Sequence, residues 1–399
     1  MSFEEGRSGV RPYLFQDQEM DFQLMRTLAT MSEGGAEIGE ILQVVQNTED
    51  GNIYSFANAW SKIAETVECI ANQVQREQNR RSAGLLNLRA ASYYRSAMGI
   101  LSPNHPDHQR YWEQSRIKFE KACDLLDEPF VKLDVSYKEG TLPCYLFTPR
   151  SKKSSNPTLI VATGGEGTAM EMHLWIGREC LRRGYNVLLF EGPHNPGSYY
   201  LSELSLEEPE DCEKSVSSVI DQLVEFDQID PKKIAITGYS FGGYVAIRAA
   251  AYDTRIQALI PNSPLRSLHD LLGTVLTEEV QQLPSETLDQ IISEGEKAIM
   301  DVAMRSFGVQ SLHELMTKLD HFRINGLEEK IVCPTLSLTG EEDGDEVINQ
   351  AQQFHGNIAS SKKLLKIFSV DEGAAAHCQV NNLSRMRQVT FDFLDDMFN

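Results

Sequence analysis

The stretch Lys233-Ile234-Ala235-Ile236-Thr237-Gly238-Tyr239-Ser240-Phe241-Gly242-Gly243-Tyr244-Val245-Ala246-Ile247-Arg248-Ala249-Ala250-Ala251 decides the fold. Its first five residues are a β-rich run that reads as a strand, and its last seven are an alanine-rich run that reads as a helix. Between them Gly238, Ser240 and Gly242 form G-x-S-x-G. Alone, the pattern carries little weight in a chain of 399 residues. Between a strand and a helix it describes a sharp, strained turn that lifts one hydroxyl above a sheet. Side chains at the flanking positions would collide with the adjacent strand and helix, so those positions need glycine. The helix that follows aims its N-terminus at a developing oxyanion, and the N–H of Phe241 is placed to donate to it.

A serine hydroxyl becomes a nucleophile only when a base takes its proton. In this arrangement an acid and then a histidine follow in the chain. Of nine histidines, only His377 lies between the last apolar strand run, which ends at Phe368, and the final helix. Its loop, Asp371-Glu372-Gly373-Ala374-Ala375-Ala376-His377-Cys378, is built of small residues that can carry an imidazole over the sheet. The orienting acid should follow the preceding strand, Thr335–Leu338. The next turn, Gly340-Glu341-Glu342-Asp343-Gly344-Asp345-Glu346, holds five acidic groups. A glycine, two variable residues and then the acid is the usual layout, which selects Asp343, with Asp345 and Glu342 as alternatives.

A second oxyanion donor is expected from the loop after the first central strand, Thr163-Gly164-Gly165-Glu166-Gly167-Thr168. Its backbone N–H at Glu166, or at Gly165, is the candidate. These glycines do not form a phosphate cradle, because no G-K-[ST] follows and no G-x-G-x-x-G stands in register.

Outward from the serine, short apolar strands alternate with helices. Phe130–Tyr137 and Leu142–Thr148 read as a hairpin around Lys138-Glu139-Gly140. Thr158–Ala162, Asn186–Phe190, Lys233–Thr237, Ala258–Pro261, Thr335–Leu338 and Leu364–Phe368 read as the remaining strands. Helices are expected around Val216–Val224, at Val245–Tyr252, and through Met386, Val389, Phe393 and Met397. Such alternation predicts an α/β fold with a mostly parallel sheet covered on both faces. Residues 1–128 read as a helical region, with stretches at Ala83–Leu101 and His108–Leu126, and the catalytic unit is expected over 129–399. A helical insertion at about 266–330 (Leu268–Val280, Ser285–Arg305, Ser311–Leu319) should lie over the sheet.

Composition fits a globular chain, with 41% hydrophobic and 24% charged residues. The formal net charge of −21 repels phosphate backbones and anionic lipid, so neither nucleic acid nor a membrane is expected as a partner. Seven cysteines, an odd number without a CxxC pair, read as reduced thiols of a cytoplasmic protein. No signal peptide is expected from Met1–Tyr13, and no apolar run is long enough to span a bilayer. No His/Asp/Glu cluster has metal-ligand spacing, so neither metal nor cofactor is expected.

The elbow Gly238–Tyr244, the Gly164–Gly167 loop, the strand end Phe190-Glu191-Gly192-Pro193 and the helical N-terminal region together resemble the 2,6-dihydroxypseudooxynicotine hydrolase group of the α/β-hydrolase superfamily. They also resemble fungal polyketide-shortening hydrolases and the fermentation/respiration-switch esterase-like proteins. The resemblance covers about residues 20–398 and is specific in the hydrolase core. It implies an α/β-hydrolase fold with a helical cap and a triad of Ser240, Asp343 and His377. It also implies hydrolysis of an ester or of a C–C bond next to a carbonyl in a small-molecule substrate. Two departures stand out: Glu191-Gly192-Pro193-His194 where Asp-Gly-Pro-Gly is commoner, and a histidine loop ending His377-Cys378-Gln379.

His194 and Gly165 are candidates for substrate contact, and Tyr239 and Phe241 for pocket walls. Tyr93, Tyr94 and Arg95 would either face the site or pack between helices. Acyl transfer, acyl-peptide cleavage, or ligand binding on a catalytically silent scaffold are competing functions. The N-terminal helical region could cap the site and also make a homodimer contact.

Overall fold

Strand residues alternate between two faces, and here both faces are covered. The computed structural model describes residues 14–150, 155–274, 276, 280 and 292–398. Eight strands form one sheet: β1 (Phe130–Tyr137), β2 (Gly140–Phe147), β3 (Asn156–Ala162), β4 (Asn186–Phe190), β5 (Ile229–Tyr239), β6 (Ile256–Asn262), β7 (Thr335–Gly340) and β8 (Lys363–Phe368). Their order is β1-β2-β4-β3-β5-β6-β7-β8. β1 and β2 pair antiparallel, as β2 does with β4; every later pairing is parallel. In β3, Leu159 and Val161 join the core on one face while Ile160 and Ala162 join the core on the other. This is why the strand reads as a continuous apolar run rather than an alternating one.

The expected α/β architecture is the one observed. Strand starts differ where a breaker interrupts the run. β5 begins at Ile229 rather than Lys233, because Ile229 pairs with Asn156 ahead of a register shift that accommodates Pro231.

Among the described residues, five α-helices precede β1: α1 (Gln18–Leu28), α2 (Ile38–Gln46), α3 (Ile53–Arg76), α4 (Arg80–Gly99) and α5 (Pro106–Leu125). α4 packs between α3 and α5 with small residues on its buried faces, such as Gly84, Ala90 and Ala91. A Cβ at Gly84 would stand 2.7 Å from Leu126 Cγ. α1 lies on α4 and also touches the helix Glu294–Phe307, which lies between β6 and β7.

Between β6 and β7 the described residues include helices Leu268–Gly273, Glu294–Phe307 and Leu312–Leu319. The second begins behind Ser293, which with Glu296 forms a reciprocal capping box. The expected start at Ser285 lies outside the described residues, as does most of the expected run after Thr274.

Candidate active site

Ser240, Asp343 and His377 each follow the carboxyl end of a parallel strand, where open α/β sheets bind ligands. Ser240 follows β5 with φ 54° and ψ −122°, between the strand and the helix Phe241–Tyr252. A non-glycine residue in that region is strained and persists only where its surroundings fix it. The fixing contacts are specific. Ser240 donates its N–H to Asn262 O, and Gly243 donates to Ser240 O at 2.8 Å. A Cβ at Gly238 would lie 1.9 Å from Gly242 O, and one at Gly242 would lie 2.3 Å from Ala162 O. Both obstacles are backbone and cannot move aside. Gly238→Ala is therefore expected to destabilise the fold by ~3 kcal/mol or more, read as the shift in a urea unfolding midpoint. Wild-type stability in that variant would mean the turn is looser than described.

Of the five carboxylates in the turn after β7, Asp343 meets the histidine: its Oδ1 pairs with His377 Nδ1. Its Oδ2 accepts from Thr339 Oγ1 (2.9 Å), Gly340 N (3.0 Å) and Ser263 Oγ (3.1 Å). Asp345 is exposed at the start of the helix Asp345–Asn357, and Glu342 directs its N–H to Ala375 O. The glycine of the Gly-x-x-Asp layout has a steric cause, since a Cβ at Gly340 would stand 2.0 Å from Ala375 O in the histidine loop.

Burial works against charge on both members of the pair, and pairing prevails in each. Asp343 is held below the usual carboxylate value by His377 and by the donors on Oδ2. For His377, burial opposes the imidazolium, but the adjacent Cys378 sulfur and the Asp343 carboxylate outweigh it and raise its proton affinity well above that of free imidazole.

Ser240 and His377 line the same two cavities, although no hydrogen bond joins them among the described residues. One cavity, of about 480 Å³, is lined largely by helices that lie between β6 and β7. Its walls are mostly apolar, including Leu268, Leu272, Ile299, Met300 and Phe307, with Gly165, Glu166 and Phe241 beside the serine. The other is a recess of about 30 Å³ lined by Phe22, Arg26, Trp175 and Tyr239. α1 contributes to both, through Gln18 and Glu19 to the first and Phe22 and Arg26 to the second.

The candidate oxyanion loop is a tight turn closed by Gly167 N donating to Gly164 O at 3.2 Å, which puts Gly165 and Glu166 at its centre. Gly164 sits close against the elbow, where a Cβ would meet Ser240 Cβ and Tyr239 O at 3.2 Å, tighter than ordinary contact. Phe241 starts its helix beside the serine, its ring 4.7 Å from the ring of His194.

The remaining candidates are placed as follows. His194 is buried, its Nε2 lies 3.1 Å from Thr163 O, and it lines neither cavity. It supports the loop and the Phe241 ring from behind rather than presenting a surface to a ligand. The Tyr239 ring walls the small recess, edge-on to Trp175. Tyr93 donates to Glu40 and Tyr94 to Glu68, so both serve packing between helices. Arg95 points toward Glu171 and Gln23.

Sequence reasoning missed three residues that hold this site. Asn195 donates from Nδ2 to Gly164 O at 2.6 Å, anchoring the start of the candidate oxyanion loop. Arg26 binds Glu166 and Glu171. Glu191, at the end of β4, accepts from Ala169 N (2.9 Å) and Gly197 N (2.6 Å), joining two loops that flank the site. Its full burial pushes its pKa from 4.5 up to about 7 against the pull of those two donors. The folded state therefore binds a proton that the unfolded chain releases at lower pH. That contribution is complete below 4.5 and is lost as pH rises through about 7; it amounts to ~3 kcal/mol at ~1.4 kcal/mol per tenfold change. Wild-type stability, measured against Glu191→Gln, is expected to decline across that window. Parallel pH profiles for the two proteins would rule this out.

The model of the FrsA-like family, described as esterase FrsA-like, matches residues 24–381. Among curated proteins, the alpha/beta hydrolase gkaG of Penicillium citrinum is 26% identical, over 95% of this chain and 96% of its own length. The 20-hydroxy-prefusarin hydrolase FUS2 of Gibberella moniliformis is 29% identical, over 96% and 98%. Among solved structures, the 2,6-dihydroxy-pseudo-oxynicotine hydrolase superposes with a TM-score of 0.73 at 20% identity, over 93% of this chain and 95% of that one. At that identity the likeness speaks for the fold alone. No helix among the described residues is long and apolar enough to cross a membrane.

Proposed function

Because the chain belongs to the FrsA-like esterase family, whose model spans most of its length, we propose that it is a serine hydrolase acting through Ser240, His377 and Asp343 on a small carbonyl compound. The bond cleaved is an ester, or a C–C bond next to a ketone. One observation carries this reading: a strained serine on a strand-to-helix turn lines the same cavity as a histidine whose far nitrogen is paired with a buried carboxylate.

In this mechanism Ser240 Oγ attacks the substrate carbonyl carbon while His377 Nε2 takes the hydroxyl proton. Asp343 keeps the imidazole in the tautomer that leaves Nε2 free and stabilises the imidazolium once it forms. The tetrahedral oxyanion accepts from the amide N–H groups of Phe241 and Glu166. As the intermediate collapses, His377 returns the proton to the leaving alkoxide or, for a C–C bond, to the leaving enolate carbon. Water then attacks the acyl-serine with the same base and releases the acid. The apolar walls of the larger cavity suit a substrate that is mostly hydrocarbon around one polarised carbonyl. The relatives are named hydrolases, one of them for a prefusarin compound, which supports hydrolysis as the class of reaction. The division of the chain into a helical region over residues 1–128 that covers the site, a catalytic unit over 129–399 and an insertion at about 266–330 belongs to the same proposal.

Mass analysis after treatment with a fluorophosphonate probe tests the reading. The adduct is expected on the peptide that contains Ser240, with p-nitrophenyl butyrate hydrolysis lost in step. An adduct elsewhere, or full turnover by the labelled protein, would refute it.

A further inference from the structure

The side chain of Glu166 has a partner that the mechanism above does not use. Arg26 of α1, 140 residues away in sequence, donates from Nη1 to Glu166 Oε1 at 2.6 Å. The other edge of the same guanidinium holds Glu171, through Nε to Oε1 at 3.1 Å and Nη2 to Oε2 at 2.6 Å. The three side chains are only 5%, 10% and 3% exposed. Glu171 lies in the short helix Ala169–Met172 that follows the oxyanion loop, so one planar group grips the middle of the loop and its exit. Arg95 of α4 stands behind Glu171 at 3.3 Å and donates to Gln23 at 2.9 Å, which fixes the clamp to a second helix.

The loop needs such a clamp. Asn195 anchors it at Gly164. A Cβ at Gly165 would meet nothing within 4 Å, so the middle of the loop faces the cavity without packing against it. The position of the Glu166 amide is then set by what holds its flanks and its side chain. A buried arginine with two carboxylates is a costly way to gain stability, since desolvation consumes most of the attraction. What it supplies is fixed geometry: a planar fork matched to two carboxylates at once.

We propose that Arg26 is a positioning residue for the oxyanion-binding amide of Glu166, which makes α1 part of the catalytic apparatus as well as a cover. The inference rests on the serine-hydrolase reading, and the test separates the two. It uses the full chain with p-nitrophenyl butyrate for turnover and a fluorophosphonate for the rate of serine labelling. Glu166→Leu keeps the backbone amide and leaves Arg26 paired with Glu171. It is expected to lower kcat and the labelling rate about tenfold to a hundredfold, the scale of a misplaced oxyanion donor. KM should stay within about threefold, and the acid limb of the pH–rate profile should not move, because His377 is untouched. Glu166→Gln, whose amide oxygen can still accept from Arg26, should lose clearly less. Should Glu166→Leu fail to fold, Arg26→Lys carries the test. An ammonium reaches one carboxylate but cannot grip both, so kcat should again fall about tenfold at near-constant KM. Wild-type kcat in either variant, a loss confined to KM, or a displaced acid limb overturns the proposal. A wild-type protein that neither labels nor turns over would instead remove the serine-hydrolase reading itself.

Discussion

Alanine in place of Ser240 is expected to lower kcat by ~10⁶-fold while the fold and substrate binding persist; the magnitude is that of nucleophile removal in another serine hydrolase. The substitution deletes one oxygen from a residue whose backbone is held by Asn262 and Gly243 through main-chain groups alone. Alanine and serine meet the same steric cost at φ 54°, so the elbow should keep its shape and the unfolding midpoint should change little. Nothing else in the larger cavity changes. Its apolar lining, which includes Leu268, Leu272, Ile299, Met300 and Phe307, is untouched, and both amides of the proposed oxyanion hole remain. A residual acceleration of about 10³–10⁴ over water is therefore expected, from those donors and from binding. A non-hydrolysable ketone analogue should bind Ser240→Ala about as tightly as wild type by calorimetry, apart from any reversible hemiketal formed with the hydroxyl. Loss of less than tenfold in kcat would place the nucleophile elsewhere. Tight ligand binding with no turnover in wild type as well would favour the silent-scaffold alternative.

The serine elbow was legible because its constraints are local. Gly238 and Gly242 are glycine for contacts with backbone four residues away and on the adjacent strand, and such contacts leave a mark at fixed spacing. The pairing of Asp343, among five acids, with His377 was legible for a related reason. Gly340 marks where the histidine loop crosses β7, and the chain from there reaches His377 with the third residue beyond it. Arg26 left no comparable mark. It is a single cation in an amphipathic helix, like many that face solvent, and its partners stand 140 and 145 residues downstream. Nothing in the local pattern of α1 distinguishes a buried arginine from an exposed one. Asn195 precedes Pro196 and so reads as an ordinary turn opener, although its side chain supports the candidate oxyanion loop. His194 drew attention because a histidine near a sheet end suggests chemistry. The structure uses it as a hydrogen-bonded wedge beneath Phe241.

The second large effect is expected from Asp343→Asn, and the environment of Asp343 dictates how it should arise. Three donors, Thr339 Oγ1, Gly340 N and Ser263 Oγ, converge on Oδ2. An asparagine at this position must turn its carbonyl oxygen toward them, since its NH2 there would confront the Gly340 N–H. The NH2 then faces His377 Nδ1 and donates to it. An imidazole that accepts at Nδ1 carries its proton on Nε2, the nitrogen that should take the serine proton. On this argument kcat should fall by about 10⁴, as in the template triad where the same exchange traps the wrong tautomer, with KM little changed. The pH profile should move as well. In wild type the imidazolium is favoured by the carboxylate, so activity is lost as pH falls through a value above 6.5. Without the carboxylate the imidazolium is less favoured, and the acid limb should shift to lower pH. Stability gives an independent reading. Asp343 contributes above 3.8 and His377 contributes below 6.5, so wild type should exceed the variant most between those values. A variant that retains more than a tenth of wild-type kcat, or whose acid limb stays where it was, would separate Asp343 from the histidine it touches.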